Sequence, residues 1–145
     1  MHQTIGRLQA ATPMIHVPDV RAAAAWYETI GFTVLETYDD GADGLSFAIL
    51  SAGVTRVMFN QGGRPSAERR REVDIYVDVE EVDELFASLK DRVDVVKAPH
   101  DTHYGMRELI IRDLNRFWIT FGKNLRAADH PHPLRSAGLF PSTTA

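Results

Sequence analysis

The chain has 145 residues, of which 44% are hydrophobic and 25% are charged, so its length and composition predict one globular domain with a core of ordinary size. Its formal net charge of -4 at pH 7 argues against a nucleic-acid partner, because phosphate recognition needs a basic surface. The sequence contains no cysteine, which excludes disulfides, thiolate metal sites and a cysteine nucleophile.

The N-terminal segment lacks the apolar core of a signal peptide, and no apolar run approaches the ~18 to 20 residues that a membrane span requires. We therefore expect a cytoplasmic protein with no membrane partner. The single basic run, Arg69-Arg70-Arg71, is interpreted as part of a solvated linker.

The first half of the chain predicts one β-α-β-β-β unit. Residues 1–11 precede it as an arm, which is either flexible or an edge strand. A strand over residues 12–17 leads to Asp19, which is placed to cap a helix that begins at Val20 and closes at Gly31. Three strands then follow, separated by turn residues, over 32–38, 45–50 and 54–60.

The second half repeats this order after a polar linker over residues 62–71. A strand over 73–77 is followed by a helix over 82–90, for which either Asp78 or Glu81 can be the cap. The remaining predicted elements are a short strand over 93–97, a loop over 98–103 and a final hairpin.

The final hairpin runs from Tyr104 to Phe121 around the break Asp113-Leu114-Asn115-Arg116. Asp113 can bond the backbone ahead of it, and Asn115 tolerates a left-handed conformation. Strand alternation places an apolar set of side chains on one face and a mixed polar and aromatic set on the other. The apolar set is Leu109, Ile111, Phe117, Ile119 and Phe121, and the mixed set is Glu108, Ile110, Trp118 and Thr120.

The repeated order predicts an α+β fold of two tandem β-α-β-β-β modules, over residues 12–61 and 72–122, followed by a flexible tail over 123–145. Each module has four strands and one helix, so one face of each sheet is left open. Apolar walls with a few directed polar groups are typical of small-molecule pockets, so we expect the open faces to bind a ligand. The predicted ligand-binding residues are His16, Arg56, Met58, Asp74, Tyr76, Glu108, Trp118 and Thr120.

Several segments also carry the features of a known family. They are Ile15-His16-Val17-Pro18-Asp19-Val20-Arg21-Ala22-Ala23, Trp26-Tyr27, Ile30-Gly31-Phe32, Tyr104-Gly105-Met106-Arg107-Glu108 and Arg112-Asp113-Leu114-Asn115. Together with the repeated element order, they resemble the glyoxalase/bleomycin-resistance/extradiol-dioxygenase superfamily, also called vicinal oxygen chelate proteins, over about residues 10 to 123. The hairpin is most similar to the bleomycin-resistance-like, antibiotic-binding branch, although its usual Asp-Pro-Asp/Asn-Gly turn is altered here. The resemblance implies concave sheets around a cleft and a homodimer in which both chains build the clefts.

The resemblance also implies where a metal would bind, because metal-dependent members carry His or Glu ligands on the first and last strands of each module. The matching positions here are Thr12, Arg56 or its neighbour Val57, Asp74 and Thr120, of which at most Asp74 can coordinate an ion. We therefore expect no metal and no other cofactor. Without the ion, the Lewis-acid chemistry of the lyases and dioxygenases would also be absent.

Individual side chains on the predicted open faces have more than one interpretation. His16 can contact a ligand or form a structural hydrogen bond. Trp118 and Tyr76 can stack on a planar ligand or pack between the two sheets. Parity places Trp118 across the hairpin near Glu108, where a cationic group of the same ligand would bind. The carboxylates of Asp74 and Glu108 can instead pair with Arg56. Other histidines are not expected to form a site: His100 and His103 in a loop, and His130 and His132 in the tail.

These features favour a metal-independent, non-catalytic protein that binds an aromatic or cationic, antibiotic-like small molecule, as the resembled branch does. The alternative is a metal-dependent glyoxalase-type lyase or dioxygenase of the same superfamily. A third possibility is a structural or regulatory domain whose cleft holds its own tail, residues 124–145.

Overall fold

The computed structural model describes residues 6–40 and 44–126. Within these ranges the order β-α-β-β-β occurs twice, which confirms the predicted α+β fold of tandem modules. The chain divides into two compact units between Pro65 and Ser66. Residues 6–11 of the predicted arm form no strand. The predicted tail from residue 127 onward, with His130 and His132, lies outside the described residues.

The first unit is one four-stranded sheet with one helix. Its strands are ordered β1-β4-β3-β2, with β1 parallel to β4 and the other neighbours antiparallel. The elements are β1 (Met14–His16), α1 (Val20–Thr29), β2 (Thr33–Asp39), β3 (Leu45–Ala52) and β4 (Thr55–Asn60).

Helix α1 begins and ends at the residues that the sequence predicts. Asp19 Oδ1 accepts a hydrogen bond from the backbone N–H of Ala22 at 2.9 Å, which caps the first turn. At the other end Gly31 has φ 108, and the N–H of Phe32 bonds the carbonyl of Tyr27 at 3.1 Å. This is the Schellman arrangement, and the rings of Tyr27 and Phe32 pack edge-on 5.1 Å apart beneath it. Both predicted caps are confirmed.

The apolar side of α1 packs on one face of this sheet and forms the core of the first unit. Burial of these side chains is the main stabilising contribution, at roughly 25 cal/mol for each Å² of apolar surface removed from water. The buried residues include Ile15, Val17, Val20, Ala23, Tyr27, Leu50, Val57 and Phe59.

The segment that leaves β4 lies directly against the end of β1. The N–H of Gly63 donates to the carbonyl of Val17 at 3.2 Å. A Cβ atom at position 63 would lie 2.3 Å from the carbonyl oxygen of His16, so only glycine permits this approach.

The second unit repeats the architecture. Its sheet has the order β5-β8-β7-β6, with β5 parallel to β8. The elements are β5 (Asp74–Asp78), α2 (Val82–Leu89), β6 (Asp94–Asp101), β7 (Met106–Arg112) and β8 (Trp118–Asn124).

Two boundaries in this unit differ from the prediction. Strand β6 continues to Asp101, where a loop over 98–103 was predicted, and His100 therefore lies in a strand. Register shifts on both sides of Lys97 break the alternation from which strands are recognised, and Pro99 is tolerated because β6 is an edge strand. Strand β8 continues to Asn124, so the first two residues of the predicted tail belong to the sheet.

Helix α2 begins after Glu81, one of the two predicted caps, although the side chain of this residue forms no capping hydrogen bond. Arg107 of β7 ties the helix to the sheet by bonding Asp83 at 2.8 and 2.9 Å and Asp101 at 2.8 Å. The hydrogen bonds from Arg107 lower the pKa of the Asp83 carboxyl. Within the described ranges, neither helix has the length and apolar character that a membrane span needs.

The β7–β8 turn is held as predicted by its aspartate but strained at a different residue. Asp113 Oδ1 accepts hydrogen bonds from the N–H groups of Asn115 at 2.7 Å and Phe117 at 2.9 Å. The left-handed residue is Arg116, with φ 70, so the expectation that Asn115 adopts this conformation is wrong. The reason is the loop geometry, in which the residue that follows the two central turn residues takes the positive φ that glycine usually supplies.

Candidate functional site

The predicted ligand-binding residues all lie in strands and divide between the two sheets. The first sheet carries His16 in β1 and Arg56 and Met58 in β4. The second sheet carries the other five, which are Asp74, Tyr76, Glu108, Trp118 and Thr120.

The open face of the first sheet places His16 beside a backbone acceptor. Its register pairs Met14 with Met58 and His16 with Asn60. His16 Nδ1 lies 3.1 Å from the carbonyl oxygen of Gln61, so the ring forms the structural hydrogen bond that was one of its two interpretations. The ligand contact of His16 stays a prediction.

The register of the second sheet arranges its open face in three rows across the strands. Adjacent strands are about 4.8 Å apart, and successive rows are about 7 Å apart. The rows are Asp74–Trp118–Arg112, then Tyr76–Thr120–Ile110, then Asp78–Gly122–Glu108. In the last row, His100 of β6 lies opposite Glu108.

This register separates the two side chains that were expected to share one ligand. Trp118 pairs with Arg112, and Glu108 pairs with Gly122 at the other end of the hairpin. The two positions are four residues apart along the strand, which corresponds to about 13 Å. The expectation that Trp118 and Glu108 are close is therefore wrong, because alternation assigns a face but does not fix the cross-strand register.

At one end of the open face, the Glu108 carboxylate is buried between two tyrosines. Glu108 is 3% exposed. Its Oε2 accepts a hydrogen bond from the hydroxyl of Tyr76 at 2.8 Å, and its Oε1 accepts one from the hydroxyl of Tyr104 at 2.7 Å. Among the described residues, no ion pair involves Glu108.

Tyr76 reaches Glu108 by crossing an intervening strand at a glycine. Tyr76 belongs to β5 and Glu108 to β7, and β8 runs between them. A Cβ atom at Gly122 of β8 would lie 2.0 Å from the Tyr76 hydroxyl oxygen and 2.6 Å from its Cζ. Gly122 therefore provides the space in which the phenol lies.

The two tyrosine hydroxyls are held in their protonated form. Burial raises the pKa of Tyr76 well above its usual range, and the hydrogen bond to Glu108 and the charge of that carboxylate raise it further. Burial, followed by the hydrogen bond that Tyr104 itself donates to Glu108, raises the pKa of Tyr104. Both phenols consequently donate to Glu108 at neutral pH. Each carboxylate oxygen keeps another lone pair for a further donor.

At the other end of the open face, the chain covers Trp118 with its own residues. The carbonyl oxygen of Arg69 accepts hydrogen bonds from Trp118 Nε1 at 3.1 Å and from Arg112 Nη2 at 3.0 Å. The guanidinium of Arg70 lies 4.2 Å from the centroid of the Trp118 ring and pairs with Asp74. The basic run was interpreted as part of a solvated linker; its Arg69 and Arg70 are exposed, but the run also binds the sheet. Carbonyl acceptance, stacking and ion pairing hold it on the sheet.

Both carboxylates of the predicted site thus have partners within their own unit. Asp74 pairs with Arg70, and Glu108 accepts hydrogen bonds from Tyr76 and Tyr104. The sequence had suggested Arg56 as a possible partner of both carboxylates. Of the unpredicted residues, Gly122 had a recognisable signal, since a glycine inside a strand often marks the close approach of another group. Tyr104 precedes β7, where alternation gives no information.

The donor groups do not fit the divalent metal site of the metal-dependent members of the resembled superfamily. Of the four matching positions, only Asp74 carries a metal-binding side chain, and that side chain pairs with a guanidinium. In the part of the chain that the structure describes, no three His, Asp or Glu side chains are grouped so that they could hold an ion. A divalent ion in such a site needs three or four imidazole or carboxylate ligands.

A surface depression at the start of α1 contains none of the predicted site residues. Its lining includes Asp19, whose carboxylate is already used as the helix cap. We take the open face of the second sheet as the candidate site, because it carries five of the eight predicted residues.

Comparison with known proteins agrees with this architecture. Three similar solved structures are the protein TioX from Micromonospora sp. ML1, a bleomycin-binding protein in complex with bleomycin, and a bleomycin resistance determinant encoded on the transposon Tn5. Their sequence identities are 23%, 18% and 20%, with TM-scores of 0.62, 0.61 and 0.61. The alignments cover 79%, 81% and 81% of this chain and 95%, 99% and 98% of the respective relatives. At these identities the similarity shows the fold alone.

A search of curated proteins returned no significant match. The sequence model of the Glyoxalase/Bleomycin resistance protein/Dioxygenase superfamily matches residues 7–121, which include all the strands that form the two sheets except the last three residues of β8. The chain belongs to the glyoxalase/bleomycin resistance protein/dioxygenase superfamily.

Proposed function

We propose that this protein binds a small aromatic or cationic molecule, without chemistry, on the open face of its second sheet. The observation that carries the proposal is the Glu108 carboxylate, which is 3% exposed and forms no ion pair among the described residues. Burying a carboxylate without a counter-charge is costly, and two neutral phenols satisfy its oxygens without neutralising it. A cationic group of a ligand would supply the missing charge.

The surroundings of Glu108 support a ligand that also has an apolar or aromatic part. Tyr76 and Tyr104 present rings beside the carboxylate, and Ile110 lies one row away. Asp78 lies in the same row as Glu108 and adds a second acidic group. Aromatic and apolar side chains beside a few directed polar groups are typical of small-molecule sites.

The similarity to a bleomycin-binding protein supports the same class of ligand by analogy of fold. Bleomycin is therefore the first compound to test, followed by a panel of aromatic cations with their neutral analogues. We expect calorimetry to detect binding of the cations and weaker or no binding of the analogues. Equal affinity for the charged and neutral members of each pair would refute the role given to Glu108.

The proposed binding needs no metal or other cofactor, because the matching positions lack the ligands that a divalent ion requires. Elemental analysis of the purified protein tests this directly. A stoichiometric divalent ion would favour the alternative of a metal-dependent lyase or dioxygenase.

We also propose that the protein acts as a homodimer and protects its host by sequestering an antibiotic in the cytoplasm. The support is the resemblance to the bleomycin-resistance branch, together with exposed apolar residues such as Leu8, which is 97% exposed. Light scattering that gives a clean monomer at micromolar concentration would count against the dimer. An unchanged sensitivity of cells that express the protein, measured against every compound it binds, would count against sequestration.

A further inference from the structure

Residues Glu68–Arg71, here called the strap, lie on the first row of the second sheet's open face. The carbonyl of Glu68 accepts a hydrogen bond from Arg116 Nε at 2.6 Å. The carbonyl of Arg69 accepts from Trp118 and Arg112. Main-chain acceptors therefore fix the path of the strap, whatever the side chains at positions 68 and 69.

The last strap residue is a firm anchor. The guanidinium of Arg71 lies 4.2 Å from the centroid of the Phe117 ring, and Nη1 donates to the carbonyl of Asn115 at 3.1 Å. The Arg71 side chain is 14% exposed. Displacing it would expose the ring and leave a carbonyl without its donor.

The side chain of Arg70 is held much less firmly. It is 57% exposed, and its contacts are one indole face and the carboxylate of Asp74. Cation–π contacts and ion pairs that are open to water are each weak, so this guanidinium can leave while the anchors of the strap remain.

We infer that Trp118 and Asp74 form a binding site for a planar cation, such as an amidinium, a guanidinium or an aromatic ammonium group, and that Arg70 occupies this site as an internal competitor. The indole face and the carboxylate are what such a cation requires, and the Arg70 guanidinium displays the bound geometry. The inference gives the ligand class of a second subsite on the proposed binding face. It does not require Glu108, which lies two rows away.

A ligand binds only those molecules in which Arg70 is displaced. Its apparent affinity is therefore its intrinsic affinity multiplied by the fraction of such molecules. A partly exposed cation–π contact and a partly exposed ion pair together favour the closed form by about 3- to 30-fold. Removing the Arg70 side chain should therefore tighten the binding of a planar cation by about 3- to 30-fold.

The test is a titration of Arg70→Ala with benzamidinium, read by the fluorescence of Trp118 in a Trp26→Phe background that leaves one tryptophan. Arg69→Ala is the matched control, because it removes the same charge from the neighbouring residue and keeps the carbonyl that Trp118 and Arg112 use. We expect tighter binding in Arg70→Ala and little change in Arg69→Ala. Neutral benzamide should not show the gain.

A second readout needs no ligand. In Arg70→Ala the uncovered indole face should be quenched more strongly by acrylamide than in Arg69→Ala. Adding Asp74→Asn to Arg70→Ala should abolish the gain for benzamidinium. The inference is overturned if Arg70→Ala remains folded and binds benzamidinium no more tightly than Arg69→Ala, or shows no binding up to the solubility limit. Glu108→Gln tests the proposed function separately, so failure of one leaves the other intact.

Discussion

Gly122→Ala is the substitution that tests the tyrosine–glutamate arrangement most selectively. A Cβ atom at this position would lie 2.0, 2.6 and 2.9 Å from the hydroxyl oxygen, Cζ and Cε1 of Tyr76. No contact of this kind is tolerated, so the phenol must turn away. The hydroxyl then loses its 2.8 Å hydrogen bond to Glu108 Oε2.

The expected cost follows from two opposing effects. A hydrogen bond to a charged group is worth about 1.5 to 3 kcal/mol, and its loss leaves a buried carboxylate with one donor instead of two. Replacing glycine by alanine restricts the unfolded chain and returns about 0.4 to 1 kcal/mol. Gly122→Ala should therefore lower the free energy of unfolding by about 1 to 2 kcal/mol.

The assay is urea unfolding at neutral pH, compared with Tyr76→Ala and with the double variant in a double-mutant cycle. With the phenol absent, alanine at position 122 meets no obstacle, so its cost should vanish or change sign. A Gly122→Ala variant as stable as the parent, or an equal cost with and without the Tyr76 ring, would refute this account of the glycine.

Two further predictions concern the turn and the pH dependence of stability. Arg116 holds φ 70, so Arg116→Gly should be about 1 kcal/mol more stable than Arg116→Ala, since both lose the bond to Glu68 and only glycine relieves the strain. Equal unfolding midpoints for the two variants would contradict it. Because the pKa of Tyr76 is raised, above pH ~10 the folded chain keeps a proton that the unfolded chain releases. The contribution of the Tyr76 hydroxyl to the free energy of unfolding is therefore complete below that pH and is lost as the pH rises further. The parent should accordingly lose about 1.4 kcal/mol per pH unit more than Tyr76→Phe above pH ~10, and parallel stability curves would show that the hydroxyl is not held in this way.

The local sequence pattern predicted those parts of the fold that depend on residues close together in the sequence. The cap at Asp19, the closing Gly31 and the apolar face of the hairpin follow from short-range rules. The predicted apolar set is buried in full, with exposures from 0 to 2% for Leu109, Ile111, Phe117, Ile119 and Phe121.

The parts that alternation missed depend on register or on contacts distant in sequence. The turn determines which residue of β7 lies opposite Trp118. Parity alone therefore could not give the distance between Trp118 and Glu108. The hydrogen bonds to the main chain of the strap join residues 43 to 49 positions apart and leave no periodic signal. The extension of β6 was hidden by register shifts on both sides of Lys97.

The most direct test of the central claim is the affinity of Glu108→Gln for the tightest cationic ligand of the parent, measured by calorimetry. Glu84→Gln is the matched control, because it makes the same change at an exposed position in the first turn of α2. Loss of a charge-assisted contact is worth about 1.5 to 3 kcal/mol, so Glu108→Gln should bind about 10- to 150-fold more weakly while Glu84→Gln is unchanged. If a folded Glu108→Gln binds the ligand within twofold of the parent, Glu108 is not the group that receives the cation.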